Sequence, residues 1–261
     1  MLREFFDREG FIEVHTQSRL SILSACEDPR TISTYDYAGK VYPLPQTGQM
    51  WLEYELLTHP DDIGFYTLST SYRNEPNPIQ GRHDLIFPMF EFEFKGDIEN
   101  LVTLETKLLS YLGFEKPFYR EDYRNIAKKY EVTELQHIHE TKLDEDYGHV
   151  FFLQNFPNHT SPFWNMKQSL DKTYAHKVDV ILHGIETIGS AERSTDSKEM
   201  IEMFHNISNG QYADTLHAKF GKKRVQDELV DFTTSHNFFP RVGGGIGITR
   251  LIRAMKLSQL I

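Results

Sequence analysis

The chain has 261 residues, 39% hydrophobic and 25% charged, which is ordinary for a globular protein with enough length for one large core. A formal net charge of −10 excludes a general electrostatic attraction to nucleic acid, so any RNA contact has to be local. The single cysteine, Cys26, excludes an internal disulfide and a cysteine-based zinc centre; with no apolar run of signal-peptide or membrane-spanning length, cytoplasm is the default expectation.

Leu2, Phe5 and Phe6 recur at helical spacing, Gly10 stops the helix, and residues 11–14 read as a strand. Residues 18–32 are polar and loop-like around Glu27, Asp28 and Pro29. Residues 40–44 alternate as a strand, and Thr47 is expected to cap a helix carrying Trp51, Leu52, Leu56 and Leu57. An apolar run, 63–68, then leads into a hairpin whose return strand carries Phe87, Met89, Phe90, Phe92 and Phe94. Between the two lie Arg73, Glu75, Arg82 and His83, with Pro76, Asn77, Pro78 and Gly81 as turn-formers. Planar guanidinium groups donate paired, charge-assisted hydrogen bonds to phosphate oxygens, and an aromatic strand offers a face for a base. On this stretch alone, a surface hairpin with ordinary salt bridges reads equally well.

Ile98, Leu101, Val102, Leu108, Leu109 and Leu112 form the apolar stripe of a core-facing helix that ends at Gly113. Residues 114–148 are acidic, with two further helices expected around Ile126 and Leu135 and an exposed helix face at residues 137–139. Residues 150–156 read as a buried strand, followed by an aromatic loop at 157–166 that either lines a pocket or is anchored on Phe163 and Trp164. Val178, Val180 and Leu182 alternate with Asp179, Ile181 and His183; a turn at His183 and Gly184 leads to a second strand. Asp179 and Glu186 lie seven residues apart across that turn. Two carboxylates beside a polyphosphate suit Mg²⁺, which completes its shell with phosphate oxygens and water. In isolation they read as surface acids.

Residues 196–235 read as outer helices of mixed charge, and Val242 delivers Gly243, Gly244, Gly245 and Gly247 into a helical pattern holding Arg250. The run is neither a dinucleotide fingerprint nor a P-loop. Glycines let a flat ring or a phosphate approach the backbone, or let strands and helices pack closely.

Together, residues 71–94 and 239–253 resemble motifs 2 and 3 of the class II aminoacyl-tRNA synthetases, nearest to the aspartyl and asparaginyl branch, with lysyl enzymes further off. Arg73-Asn74-Glu75 stands for the family's Arg-x-Glu, Arg82-His83 for its loop cations, and residues 243–250 for its Gly-Gly-Gly-x-Gly-x-x-Arg. The resemblance implies an α+β fold, an antiparallel β-sheet flanked by helices, spanning residues 1–261 as one catalytic domain. It further implies ATP-dependent activation of an amino acid as its adenylate.

The roles it implies place Arg73 on the α-phosphate and substrate carboxylate, and Glu75 on the adenine edge or on Arg73. Arg82, His83 and Arg250 take the outer phosphates, Phe87 stacks on the ring, and Gly245 and Gly247 lie against the nucleotide. Asp179 and Glu186 hold Mg²⁺. Glu27 faces the α-ammonium from a closing loop, Gln49 contacts the amino acid, and Arg193 holds a side-chain carbonyl or carboxylate, which inclines the substrate towards Asp or Asn. The first 14 residues resemble motif 1, which implies a homodimer, and the family's N-terminal anticodon barrel is not expected.

Departures from the pattern are Gln17 in place of a proline, Leu52 in place of a lysine that meets an aspartate side chain, Ile86 in place of a glutamate, and Ser190-Ala191. The acceptor stays open between tRNA, ammonia and an amine, beside a non-catalytic sensor of nucleotide or amino acid.

Overall fold

Phe90, Glu91, Phe92, Glu93 and Phe94 put phenylalanines on one side of a strand and acids on the other, because strand side chains alternate between faces. The fold is built on that division. A computed structural model describes residues 1–16, 21–24, 29–79 and 84–261. Eight strands form one sheet, in the order β1 (Ile12–Glu13), β4 (Gly64–Tyr72), β5 (Ile86–Lys95), β10 (Arg241–Gly247), β9 (Ile185–Glu192), β8 (Tyr174–Leu182), β7 (Val150–Pro157) and β6 (Tyr119–Asp122). The inner pairs are antiparallel, and the two edge pairs, β1 with β4 and β6 with β7, are parallel. A separate hairpin joins β2 (Thr34–Tyr37) to β3 (Lys40–Pro43). The expected α+β class, an antiparallel sheet flanked by helices, is what the chain forms.

The apolar face is covered by α1 (Leu2–Arg8), α3 (Ile98–Leu112) and α9 (Ile248–Leu257). Phe6, Phe90, Phe92, Val180, Leu108 and Leu251 meet in its core. Asp97 starts α3 by accepting hydrogen bonds from the Glu99 and Asn100 amides, both at 3.0 Å, and Gly113 ends it in the left-handed conformation at φ 96°. The stripe is not wholly apolar. Glu105 is buried within it, and that burial pushes its carboxyl up to about 8.

The acidic face carries α2 (Gln49–Thr58), with α4 (Tyr123–Lys129) and α5 (His137–Tyr147) at the β7 end. Here α6 (Ser197–Asn206), α7 (Gln211–Phe220) and α8 (Lys222–Thr234) correct the expectation of peripheral helices. They bury a second core in which Phe204, Tyr212, Leu216 and Phe232 surround Trp164. Two element boundaries also differ. Gly48, not Thr47, is the N-cap of α2, although the Thr47 hydroxyl accepts from the Gln49 amide at 3.0 Å. Leu135 lies before α5 rather than inside it, its amide donating to the Tyr123 hydroxyl at 2.7 Å. No helix among the described residues is long and apolar enough to cross a membrane.

Candidate active site

A cavity of about 460 Å³ opens on the acidic face of the sheet. Strand β4 ends by delivering Arg73, and β5 begins with Phe87 beside it, because Ser71 pairs with Phe87 and the Arg73 amide donates to Leu85 O at 2.8 Å. Both side chains line the cavity, the guanidinium carbon 5.8 Å from the centre of the phenyl ring. Glu75 lines it as well. Arg250 enters from the first turn of α9, its Nη1 donating to the Glu186 carbonyl at 2.7 Å and lying 4.0 Å from the Glu186 carboxylate. Arg82, His83, Glu27 and Gln17 lie outside the described residues.

Asp179 and Glu186 share a face only because of a defect in the ladder. Val180 pairs with Ile188 but Ile181 pairs with Glu186, so Thr187 is one residue too many on β9. A β-bulge of this kind shifts the register by one, so residues on its two sides present opposite faces from those a regular ladder would give them. Without it Glu186 would share the α3 side with Ile188; with it, Glu186 sits on the same side as Asp179. The two carboxylates converge on Gly189, where a built Cβ would lie 3.0 Å from Glu186 Oε1 and 3.6 Å from Asp179 Oδ1. Asp179 Oδ2 accepts from Lys177 Nζ at 2.8 Å, while its buried Oδ1 has no hydrogen-bond partner among the described residues. Burial pushes the Asp179 carboxyl up to about 8; Lys177 opposes the shift and Glu186 adds to it.

The glycines of β10 divide by what surrounds them. A Cβ at Gly243 would lie 1.9 Å from Glu93 Oε2 and 2.3 Å from Phe92 O, and one at Gly244 would lie 2.4 Å from Ser190 Cβ and 2.6 Å from Gly189 O. Those two glycines serve close strand packing. At Gly245 the nearest atom is the flexible end of Met89, at 2.5 Å, and at Gly247 nothing comes closer than 3.5 Å. Both line the cavity, so their smallness leaves room for a ligand.

Beneath the cavity runs a buried polar network that sequence reasoning missed. Glu53 of α2 receives Arg241 Nη2 at 2.8 Å and the side-chain amide of Asn165. Glu93 receives Arg193 Nη2 at 3.1 Å and the side-chain amide of Gln49. Glu91 accepts from the Gly48 amide at 2.8 Å and from the Thr47 and Ser69 hydroxyls, placing its charge at the N-terminus of α2. Burial raises the Glu93 carboxyl to about 7 against the pull of Arg193. Gln49 and Arg193 both line the cavity and are joined through one acid. Leu52 does not reach it; it is packed with Leu56 and Phe65. The loop after β7 lines the cavity with Thr160, Ser161 and Pro162 and is anchored by Phe163 and Trp164, so both of its readings hold.

Nearly all the described candidates from distant parts of the chain therefore converge on one cavity, Asp179 lying just behind its wall. The arrangement offers two arginines and a lysine for anions, an aromatic ring for a flat base, and a carboxylate pair for a hard cation.

The family model for the class II tRNA synthetases (D, K and N) matches residues 1–261. Among curated proteins, the cytoplasmic asparagine–tRNA ligase of Dictyostelium discoideum is 23% identical over 302 residues, covering 99% of this chain and 43% of that protein. The aspartate–tRNA(Asp) ligase of Thermoplasma volcanium is 22% identical, covering 96% of this chain and 61% of that protein. Among solved structures, the Pyrococcus horikoshii asparaginyl-tRNA synthetase complexed with asparaginyl-adenylate superposes with a TM-score of 0.74 at 20% identity, covering 97% of this chain and 62% of that one. The chain thus spans about half the length of the curated relatives it matches.

Proposed function

Because the chain belongs to the class II tRNA synthetases of the D, K and N group, we propose that it activates an amino acid by joining its carboxylate to the α-phosphate of ATP, releasing pyrophosphate. The observation that carries this reading is the convergence of Arg73, Phe87, Glu186, Gly245 and Arg250 on one cavity from the end of β4 and from β5, β9, β10 and α9. Attack by the carboxylate on the α-phosphate needs alignment of two anions and neutralisation of the leaving charge, which is positioning and electrostatics rather than covalent catalysis. Arg73 bridges the substrate carboxylate and the α-phosphate, Glu75 reads the adenine edge, and Phe87 stacks on the ring. Arg250, with Arg82 and His83, holds the outer phosphates.

The unpartnered Asp179 Oδ1 beside Glu186 fits a hard cation, and these two residues would hold Mg²⁺. When bound, it supplies charge neutralisation on the phosphates. A Mg²⁺ site here would need Asp179 ionised, against the protonation that its burial favours. Its affinity is therefore expected to rise with pH, up to about tenfold per unit, and to level off above pH 8. Cation-free stability should move oppositely. The folded chain keeps a proton that the unfolded chain loses above its ordinary 3.8, so this group's contribution falls as pH climbs towards 8. Mg²⁺ titrations of the ATP complex across this range check the first effect, and the slope should vanish in Asp179→Asn.

Arg193 is already engaged by Glu93 and lies near Glu53, so the cavity floor is not a bare cationic receptor for a carboxylate. This favours the amide member of the Asp/Asn pair as substrate. The edge built by α1 and β1, with Ile12 and Ile63 exposed, is the surface for the homodimer implied by the first 14 residues. ATP–pyrophosphate exchange across the twenty amino acids, with and without tRNA, tests the reading, and hydroxylamine trapping reports any activated carboxylate. Exchange with none of them, and no trapped product, would replace the enzyme by a sensor.

A further inference from the structure

We propose that Asp144, His149 and His183 form a second cation site, for a divalent transition metal of the zinc class, at the turn between β8 and β9. The three side chains come from separate places: α5, the residue before β7, and the turn itself. Each offers one ligand atom, and these atoms all lie within 4.8 Å of one another. The two imidazoles stack with their centres 4.2 Å apart, and Asp144 Oδ1 is 2.9 Å from His149 Nδ1.

The turn is held firmly in this position. His183 and Gly184 both have positive φ, 46° and 70°, as a two-residue hairpin turn of the primed kind requires. A Cβ on Gly184 would lie 2.9 Å from the Thr141 Cα, so the turn is pressed onto α5. The His183 amide donates to the His149 carbonyl at 3.0 Å, tying the two histidines through the backbone. Ser258 Oγ, just beyond α9, lies 2.7 Å from His183 Nε2. A partner on one ring nitrogen is the usual means of orienting a ligating imidazole, whose other nitrogen then meets the metal.

The donor set decides the ion. Two imidazoles and one carboxylate suit zinc, nickel or copper, whereas Mg²⁺ and Ca²⁺ take oxygen shells, so this cluster differs in kind from the Asp179–Glu186 pair. Tetrahedral zinc with bonds of about 2.0–2.2 Å holds neighbouring ligand atoms about 3.3–3.6 Å apart. Side-chain rotation by about an ångström closes the triad from its present spread, and the exposed His149 gives an entry path. Water completes the fourth position. The ion clips α5, β7 and the turn together, next to the bulge that aims Glu186.

Zinc titration of the full chain, stripped with chelator and followed by calorimetry, tests the proposal. One equivalent is expected to bind. His149→Ala and His183→Ala should each weaken binding by about 100-fold or more, and Ser258→Ala by about 10-fold. Asp179→Asn should leave it unchanged, and excess Mg²⁺ should not displace the ion. Circular dichroism shows whether each variant folds. Should His183→Ala fail to fold, the exposed His149→Ala carries the test, with cobalt's visible absorption bands present in the parent and lost in the variant. Zinc binding of equal strength in parent and His149→Ala, or none in the parent, overturns the proposal.

Discussion

Replacing Arg73 with alanine is expected to lower kcat/KM for ATP–pyrophosphate exchange by about 10²–10³-fold, measured with whichever amino acid supports exchange. The reason is geometric as well as electrostatic. Arg73 stands at the end of β4, beside Phe87 and inside the cavity, where one planar fork can meet an oxygen of each reacting anion. The loss should fall mainly on kcat, since the interaction grows as charge develops on the α-phosphate. Lysine at this position keeps the charge but not the fork and should restore only a small part of the rate. Arg73 is part-exposed and supports no core, so thermal unfolding should move little. An Arg73→Ala variant with exchange within a few-fold of the parent would remove this residue from the chemistry.

The largest effect on stability is expected at Arg241, far from any solvent. Its side chain is fully buried, with Nε and Nη2 at 3.0 and 2.8 Å from Glu53 Oε2, Nη1 at 3.1 Å from Ser194 O, and its guanidinium 4.8 Å from the centre of the Phe238 ring. Removing one partner of such a pair leaves the other charge without compensation in a medium that solvates it poorly. The expected cost of Arg241→Ala is about 3–5 kcal/mol. For a chain of this size that corresponds to a fall in Tm of roughly 6–20 °C. Arg193 lies 3.7 Å from Glu53 and softens the loss without cancelling it. Replacing Glu53 and Arg241 together by apolar residues of similar volume should recover much of the stability. Denaturant unfolding of the single and double variants measures both; a single-variant loss below about 1 kcal/mol would show that the pair is not structural.

The hairpin and α3 were legible because their signals are local, bulky and aromatic strand residues around turn-formers in the one and an apolar stripe with a terminal glycine in the other, whereas the sheet class came from the resemblance of two motifs. The same alternation that marks Phe90, Phe92 and Phe94 also puts Glu91 and Glu93 on the site face, so these two acids were within reach of the sequence. Lys177 was too, two residues before Asp179 on one strand face. Glu53 with Arg241, and Glu93 with Arg193, were not, because ion pairs 188 and 100 residues apart leave no mark in any window. For the same reason α6 to α8 were read as peripheral. Their apolar stripes are visible, but the Trp164 loop that they bury against lies elsewhere in the chain. Arg73, Phe87 and Arg250 came from the likeness of two motifs and Glu186 from the acidic pair across the β8–β9 turn, and their convergence is a property of the fold.

The extra residue at Thr187 bears on how this site can change. Glu186 owes its orientation to a count, not to its own identity or to its neighbours' chemistry. Drawing Thr187 into a regular ladder, with Glu186 opposite Leu182, would preserve every acidic residue in the chain yet turn one carboxylate towards the buried phenylalanines; deleting Thr187 instead would remove the bulge and leave Glu186 opposite Ile181, on the face of Asp179. Comparisons among such proteins should therefore weigh which residue of β8 Glu186 pairs with as heavily as the acids themselves.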